Sequence, residues 1–294
     1  MLLPLLGSLV LLGSAFAVVW GRLLRARTAT ASEPLLPTPF LVLVGFVTDF
    51  LDTLGIGSFA TTTSAFRLSR RVDDRLIPGT MNVGHALPTI VQALIYVTIV
   101  KVEMTTLLLL IGAAVAGAWL GSGFVVRWPR RAIQVFVGTA LLVAATIMGA
   151  TALGALPKGG DAVFLRGPAL AVAASGNFAL GALMSAGIGL YGPCMILVSV
   201  LGMSPKAAFP IMMGSCAFLM PVSSIRFVRS GAYDPRAALG LAVGGIPAVL
   251  IAAFVVKSLT LDAVRWLVIA IALYTAATLL LSGRTPETKV PRQK

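Results

Sequence analysis

Asp49-Phe50-Leu51-Asp52-Thr53-Leu54-Gly55-Ile56-Gly57-Ser58-Phe59-Ala60-Thr61-Thr62-Thr63 is the stretch whose reading decides the fold of this chain. It lies in an apolar run, yet it holds two acids, two glycines one residue apart and a cluster of hydroxyls. Glycine is about 1 kcal/mol less favourable than alanine inside a helix, so Gly55 and Gly57 mark a break. The motif returns as Gly187-Ile188-Gly189, 132 residues later. At that offset Phe46 matches Phe178, Leu51 matches Leu183, Pro78 matches Pro210, Met81 matches Met213, and Thr53 stands opposite Ser185. The chain reads as a duplicated unit with a glycine-broken helix in each half. Paired interruptions of this kind point to a substrate site in secondary transporters.

Composition sets the class. Of 294 residues, 58% are hydrophobic and only 11% charged, with a mean hydropathy of +0.97. A soluble domain carries about 25% charged residues. Several uncharged runs approach the roughly 20 residues that cross a bilayer, so the expectation is an all-α polytopic membrane protein. The net charge of +13 does not imply nucleic acid. The arginines sit in short loops between apolar runs, where they act as topology signals. The two cysteines, Cys194 and Cys216, lie in apolar stretches and suggest neither a disulfide framework nor a metal site.

The expected order is a first span at Leu2–Trp20, retained because it lacks a basic n-region and a clear cleavage site. A Pro-rich connector from Arg27 to Pro39 follows. The first repeat has a broken segment, Phe40–Ile56 then Ser58–Leu68, followed by spans at Pro78–Val100, Met104–Val126 and Ala132–Leu156. The second has Pro168–Ile188 then Leu190–Leu201, followed by spans at Ala207–Val228, Ala237–Val256 and Ala263–Leu281. This divides the chain into an N-terminal helix (1–26), two membrane repeats (35–156 and 168–283) and a basic tail (284–294).

Loop charge orients these pieces. Arg22, Arg25 and Arg27 follow the first span, and four arginines lie between Arg67 and Arg75. Both basic loops are cytoplasmic only if Phe40–Leu68 enters and returns on one side, which a helix broken at Gly55–Gly57 can do. The second broken segment then enters from outside, and Arg226, Arg229 and Arg236 fall in the cytoplasm. The halves become inverted repeats, each a re-entrant hairpin followed by three spans. In the competing arrangement each broken segment crosses once, and the Arg67–Arg75 loop lies outside.

Irregular backbone at membrane depth is tolerated only inside protein or along a wet cavity. A short helix starts after each break, and its N–H groups and positive dipole end can hold an anion. The candidate binding residues are therefore Gly55, Gly57, Ser58, Thr61 and Thr62 in the first half. In the second they are Gly187, Gly189, Tyr191, Gly192 and Cys194, with Pro193 suited to a first helical turn. Asn82 and Ser215 occupy the spans that follow. The alternative is that the glycines only let helices pack closely. Asp49 and Asp52 lie three apart on one helical face, and intramembrane carboxylates are functional candidates by default. The only histidine, His85, titrates near neutral pH in its ordinary state. These three are the candidate proton-coupling groups; a local role in capping and backbone hydrogen bonding is the alternative. Neither acid has an acidic counterpart: Gly181 stands opposite Asp49 and Met184 opposite Asp52.

Asp52-Thr53-Leu54-Gly55-Ile56-Gly57-Ser58-Phe59, followed by Pro78-Gly79-Thr80-Met81-Asn82-Val83-Gly84-His85 and by the second Gly-Ile-Gly half, resembles the TauE/SafE sulfite exporter family. The resemblance runs from Phe40 to Leu281. It implies a carrier of sulfite, small organosulfonates or related carboxylates across the cytoplasmic membrane, in the export direction. Ser58 and Leu190 stand where that family often has further glycines. The expected partners are thus a small anionic substrate and the lipid bilayer, with no cofactor. A passive anion channel is the second reading. A membrane-embedded enzyme is the third, although no His-Glu-x-x-His or Gly-x-Ser-x-Gly pattern occurs, and no P-loop either.

Overall fold

A computed structural model describes residues 1–28, 35–125, 130–154, 160–185 and 189–282. The described residues form eleven α-helices and no named strand. They are α1 (Leu2–Thr28), α2 (Pro39–Thr53), α3 (Ser58–Ser69), α4 (Ile77–Ile99), α5 (Met104–Val125), α6 (Arg130–Ala152), α7 (Gly167–Ser185), α8 (Tyr191–Val200), α9 (Ala208–Ser230), α10 (Pro235–Ser258) and α11 (Leu261–Ser282). Seven of these, α1, α4, α6, α7, α9, α10 and α11, hold windows long and apolar enough to cross a membrane. The architecture is that of a multi-pass membrane protein.

Local chemistry sets the helix ends. Pro39 opens α2, and the Thr38 hydroxyl accepts the Leu41 N–H. The Asp234 carboxylate caps α10 by accepting from Ala237 N at 2.9 Å, with Pro235 in the first turn. Between α2 and α3, Gly55 and Gly57 sit at φ 98° and 89°, a region that L residues avoid because Cβ crowds the following carbonyl. These two angles turn the chain so sharply that the helix ends at Thr53 and restarts at Ser58.

α2 and α3 are short, 15 and 12 residues, or about 22 and 18 Å of helix. Neither reaches across a hydrocarbon core of about 30 Å. The chain comes back beside its own starting point. Leu41 and Val44 near the start of α2 share one apolar cluster with Phe66 near the end of α3, and with Val72, Ile77, Met81, Ala237 and Leu241. The Arg71 guanidinium lies 4.7 Å from the ring centre of Phe40. In the second half, the segment before α7 meets the segment after α8: Ala162 bridges to Met203, and Ser204 N donates to Ala162 O at 2.8 Å. Those two meetings lie at opposite ends of the bundle. α4 and α9 run antiparallel between them, for Gly79 at the start of α4 abuts Phe227 and Ala232. Tyr96 near the other end of α4 stacks on Phe209 at the start of α9, with centroids 5.2 Å apart.

Small residues bring the remaining helices together. α2 lies along α10, with Gly45 against Leu241, and Gly244 against Val42 and Phe46. α7 lies along α5, with Gly181 against Ala114 and Asn177 Nδ2 donating to Leu110 O at 2.7 Å. α6 packs on α11. Such close approach suits helices in lipid, where packing rather than burial from water drives association.

Candidate functional site

The polar residues of the first half converge at the α2–α3 break. His85 lies on α4, and its Nδ1 meets the Asp49 carboxylate at 2.9 and 3.0 Å while its Nε2 meets Thr62 Oγ1 at 2.9 Å. All three residues are fully buried. A neutral imidazole donates from Nδ1 to the carboxylate and accepts the threonine proton at Nε2. An imidazolium donates at both nitrogens and the threonine accepts. The hydroxyl serves either state, so this trio can take up or release a proton without losing a hydrogen bond.

Asp52 makes a second arm. Its Oδ1 accepts the Ser58 backbone N–H at the start of α3, and its Oδ2 accepts from Gln92 Nε2 at 2.9 Å. Gln92 Nε2 also donates to Thr53 Oγ1 at 2.9 Å, and Tyr96 OH reaches Thr53 O at 3.3 Å. On its other side Gln92 Oε1 accepts from Tyr191 OH at 3.0 Å. A continuous line of side chains thus joins the first break to the start of α8, the helix that follows the second. Buried polar networks of this kind are tolerated when every member has a partner.

A cavity lies between the two breaks. Asp52, Ile56, Gly57, Ser58 and Phe59 form one wall, and Met184, Gly189, Leu190, Tyr191 and Gly192 the other. Thr89 of α4, Cys216 and Met220 of α9, and Thr275 of α11 close it. About 60 Å³ is open to the centres of water-sized molecules. One water needs about 10–15 Å³ by this measure, so the space suits a few waters or one small polyatomic ion.

Of the sequence candidates, Gly57, Ser58, Gly189, Tyr191, Gly192 and Asp52 border this cavity. Asp49, Thr62 and His85 do not line it and form a buried hydrogen-bonded trio on α2, α3 and α4. Gly55 shapes the turn and packs against Met195 and Ile271. Thr61 faces elsewhere: its hydroxyl bonds Ser58 O at 2.9 Å, and it borders a separate apolar cavity with Leu267, Ile271 and Tyr274. Asn82 lies towards the start of α4, where Nδ2 donates to Pro78 O and Ser223 Oγ donates to its Oδ1. Ser215 spends its hydroxyl on Ile211 O, one turn back in α9. Cys194 is buried in α8 outside the cavity wall. Gly187 lies outside the described residues.

One expectation changes in kind. The N–H groups at the first helix start are expected to be open to an anion, but the Ser58 N–H is held by Asp52. Gln92, a further polar residue on the span of His85, is the hub of the network. Its signal is periodic: His85, Thr89, Gln92 and Tyr96 fall at i, i+4, i+7 and i+11, one polar stripe along an apolar helix. Comparison with protein-family models, curated proteins and solved structures found no match to this chain.

Proposed function

We propose that this chain is a secondary transporter of a small sulfur-containing anion, sulfite or a small organosulfonate, across the cytoplasmic membrane. The carrying observation is the cavity between the two breaks, bordered by Asp52 and backed by the buried Asp49–His85–Thr62 trio. An unsatisfied or charged group is costly at membrane depth, so two acids and a histidine there are functional candidates. In this reading the anion sits between Gly57–Ser58 and Gly189–Gly192, and Asp49, Asp52 and His85 carry the coupling proton. The anion's chemical class and the export direction come from the resemblance to the TauE/SafE exporters. The cavity volume agrees with an ion of a few heavy atoms.

The two halves act as inverted repeats. Supporting this, the helix pairs exchange between the halves: Gly45 of α2 against Leu241 of α10 becomes Asn177 of α7 against Leu110 of α5, with offsets of 132 for the broken helix and 131 for its partner. Alternating access then follows from movement of the broken segments against the spans. A ligand that binds the folded state raises its apparent stability, so thermal unfolding of purified protein with sulfite, thiosulfate, sulfoacetate or taurine tests the binding. Sulfite flux into proteoliposomes tests transport. Flux that persists unchanged when Gly57 and Gly189 are both replaced by leucine sinks the proposal. Flux that survives collapse of the proton gradient with unaltered rate selects the passive channel instead.

A further inference from the structure

Asp52 occupies the place a transported anion has to reach. Its carboxylate accepts the N–H that opens α3, and both Asp52 and Ser58 border the cavity. The helix end favours negative charge there, whether that charge comes from the chain or from a ligand. An ionised carboxylate can only accept. Gln92 must therefore turn Nε2 towards it, which leaves Oε1 as the acceptor for the Tyr191 proton. The charge on Asp52 thus sets the direction of the whole line from Asp52 through Gln92 to Tyr191.

A proton on Asp52 reverses that line. The new Asp52 O–H donates to Gln92 Oε1 once the amide has turned over, and the Thr53 hydroxyl turns from Asp49 O to donate to the same oxygen. Gln92 Nε2 then donates to the Tyr191 oxygen, and the Tyr191 hydroxyl hydrogen is released towards the cavity it borders. The Ser58 N–H meanwhile faces a neutral partner, and neutral hydrogen bonds are roughly half as strong as charge-assisted ones. One O–H bond forms on Asp52 and one breaks in a hydronium ion that reaches the cavity from bulk solution, leaving water. No group is oxidised or reduced.

The geometry points to Asp52 as a built-in competitor of the transported anion: its protonation removes the negative charge from the start of α3 and, through Gln92, turns the Tyr191 hydroxyl into the cavity, so that one proton and one small oxyanion occupy the site together. This rests on the anion-transporter reading and adds the sign of its coupling. Proton and anion cross in the same direction. The titratable groups acting on Asp52 are Asp49 on α2, His85 on α4, Tyr191 on α8 and Cys216 on α9. α3 and α11 present Ser58 and Thr275, which do not titrate.

Thiosulfate is the probe, because its charge is constant near neutral pH while that of sulfite is not. Binding is read on the purified full chain by thermal shift, and proton uptake in weakly buffered solution. Wild-type protein is expected to take up about one proton per thiosulfate wherever Asp52 is ionised before binding, with affinity rising about tenfold per unit fall in pH. Asp52→Asn is expected to bind without uptake and with a flat pH profile. Tyr191→Phe should weaken binding about tenfold at low pH and leave the high-pH value unmoved. Wild-type binding with no proton uptake overturns the competitor role and leaves anion transport standing; that measurement needs no variant to fold. Uptake that persists in Asp52→Asn overturns it as well. If thiosulfate, sulfite and sulfoacetate all fail to stabilise the wild type at every pH, both readings fall.

Discussion

Asp49 and His85 form a buried pair whose energetics are dominated by what happens when one partner is lost. Their side chains have no solvent contact, at 2.9 Å from one another. Removing one partner of a buried pair costs roughly 3–5 kcal/mol, while replacing both with apolar groups is often neutral. His85→Leu alone should therefore lower the stability of the purified protein by roughly that amount, and adding Asp49→Leu should recover most of it. Chemical or thermal unfolding in detergent checks the stability. If the pair passes the proposed coupling proton to Asp52, the double variant regains stability and stays inactive in proton-dependent flux. A double variant as unstable as the single one would mean that Asp49 and His85 do not act as one pair.

Gly57 gives a second prediction at this scale. It sits at φ 89°, and a Cβ added there meets nothing within 4 Å. Gly57→Ala thus tests backbone conformation without steric conflict, and because φ 89° with ψ 133° lies in a sparsely populated region it should cost about 1–3 kcal/mol from the backbone alone. An alanine with no effect on unfolding would show that the turn does not need the glycine.

At the scale of the element, α2 can carry a carboxylate only because α10 leaves room for it. Gly245 of α10 stands directly against the Asp49 carboxylate and Pro88. A methyl group at this position collides with both. Gly245→Ala should destabilise the protein by roughly 1–3 kcal/mol, as overpacking does, and should also displace Asp49 from His85. Gly112 of α5 is the control, since a Cβ there meets nothing within 4 Å, and Gly112→Ala should be neutral. Equal effects of the two substitutions on unfolding would refute the close approach. The same logic explains why α2 stops where it does. α2 runs on through Asp52 to Thr53, and the Asp52 side chain reaches forward six residues to cap α3, so one side chain holds both sides of the break.

For the whole molecule, the decisive quantity is the sidedness of the two ends. Arg67, Arg70, Arg71 and Arg75 lie at the end where α2 begins and α3 finishes, together with Asp234 and Arg236, whose Nε donates to Leu36 O at 2.8 Å. The other end holds the Arg166–Glu103 and Arg265–Asp161 pairs and Lys206, which donates to Leu259 O. Basic loops stay in the cytoplasm. A cysteine placed by Asp74→Cys should react with a membrane-impermeant thiol reagent only from the cytoplasmic side, and one placed by Lys257→Cys only from outside. The native Cys194 and Cys216 are buried and should give little background. Labelling of position 74 from outside would support a single crossing by the broken segment and defeat the hairpin.

Apolar length and low charge determined the membrane class and the helix order from the sequence alone, because burying backbone in lipid leaves few choices besides the helix. The breaks at Gly55 and Gly57 were legible for the same local reason: positive φ belongs to glycine. Asp49, Asp52 and His85 stood out because charge is rare in such runs. Only the tertiary structure decided which of these groups meet. Gln92 and Asp52 are forty residues apart, and Tyr191 is ninety-nine beyond Gln92, so no local pattern could pair them. Their meeting depends on how α4 is pressed against both breaks, which is set by packing summed over many small residues. That packing also sent Thr61, Asn82, Ser215 and Cys194 away from the cavity and left Asp52, rather than solvent, at the start of α3.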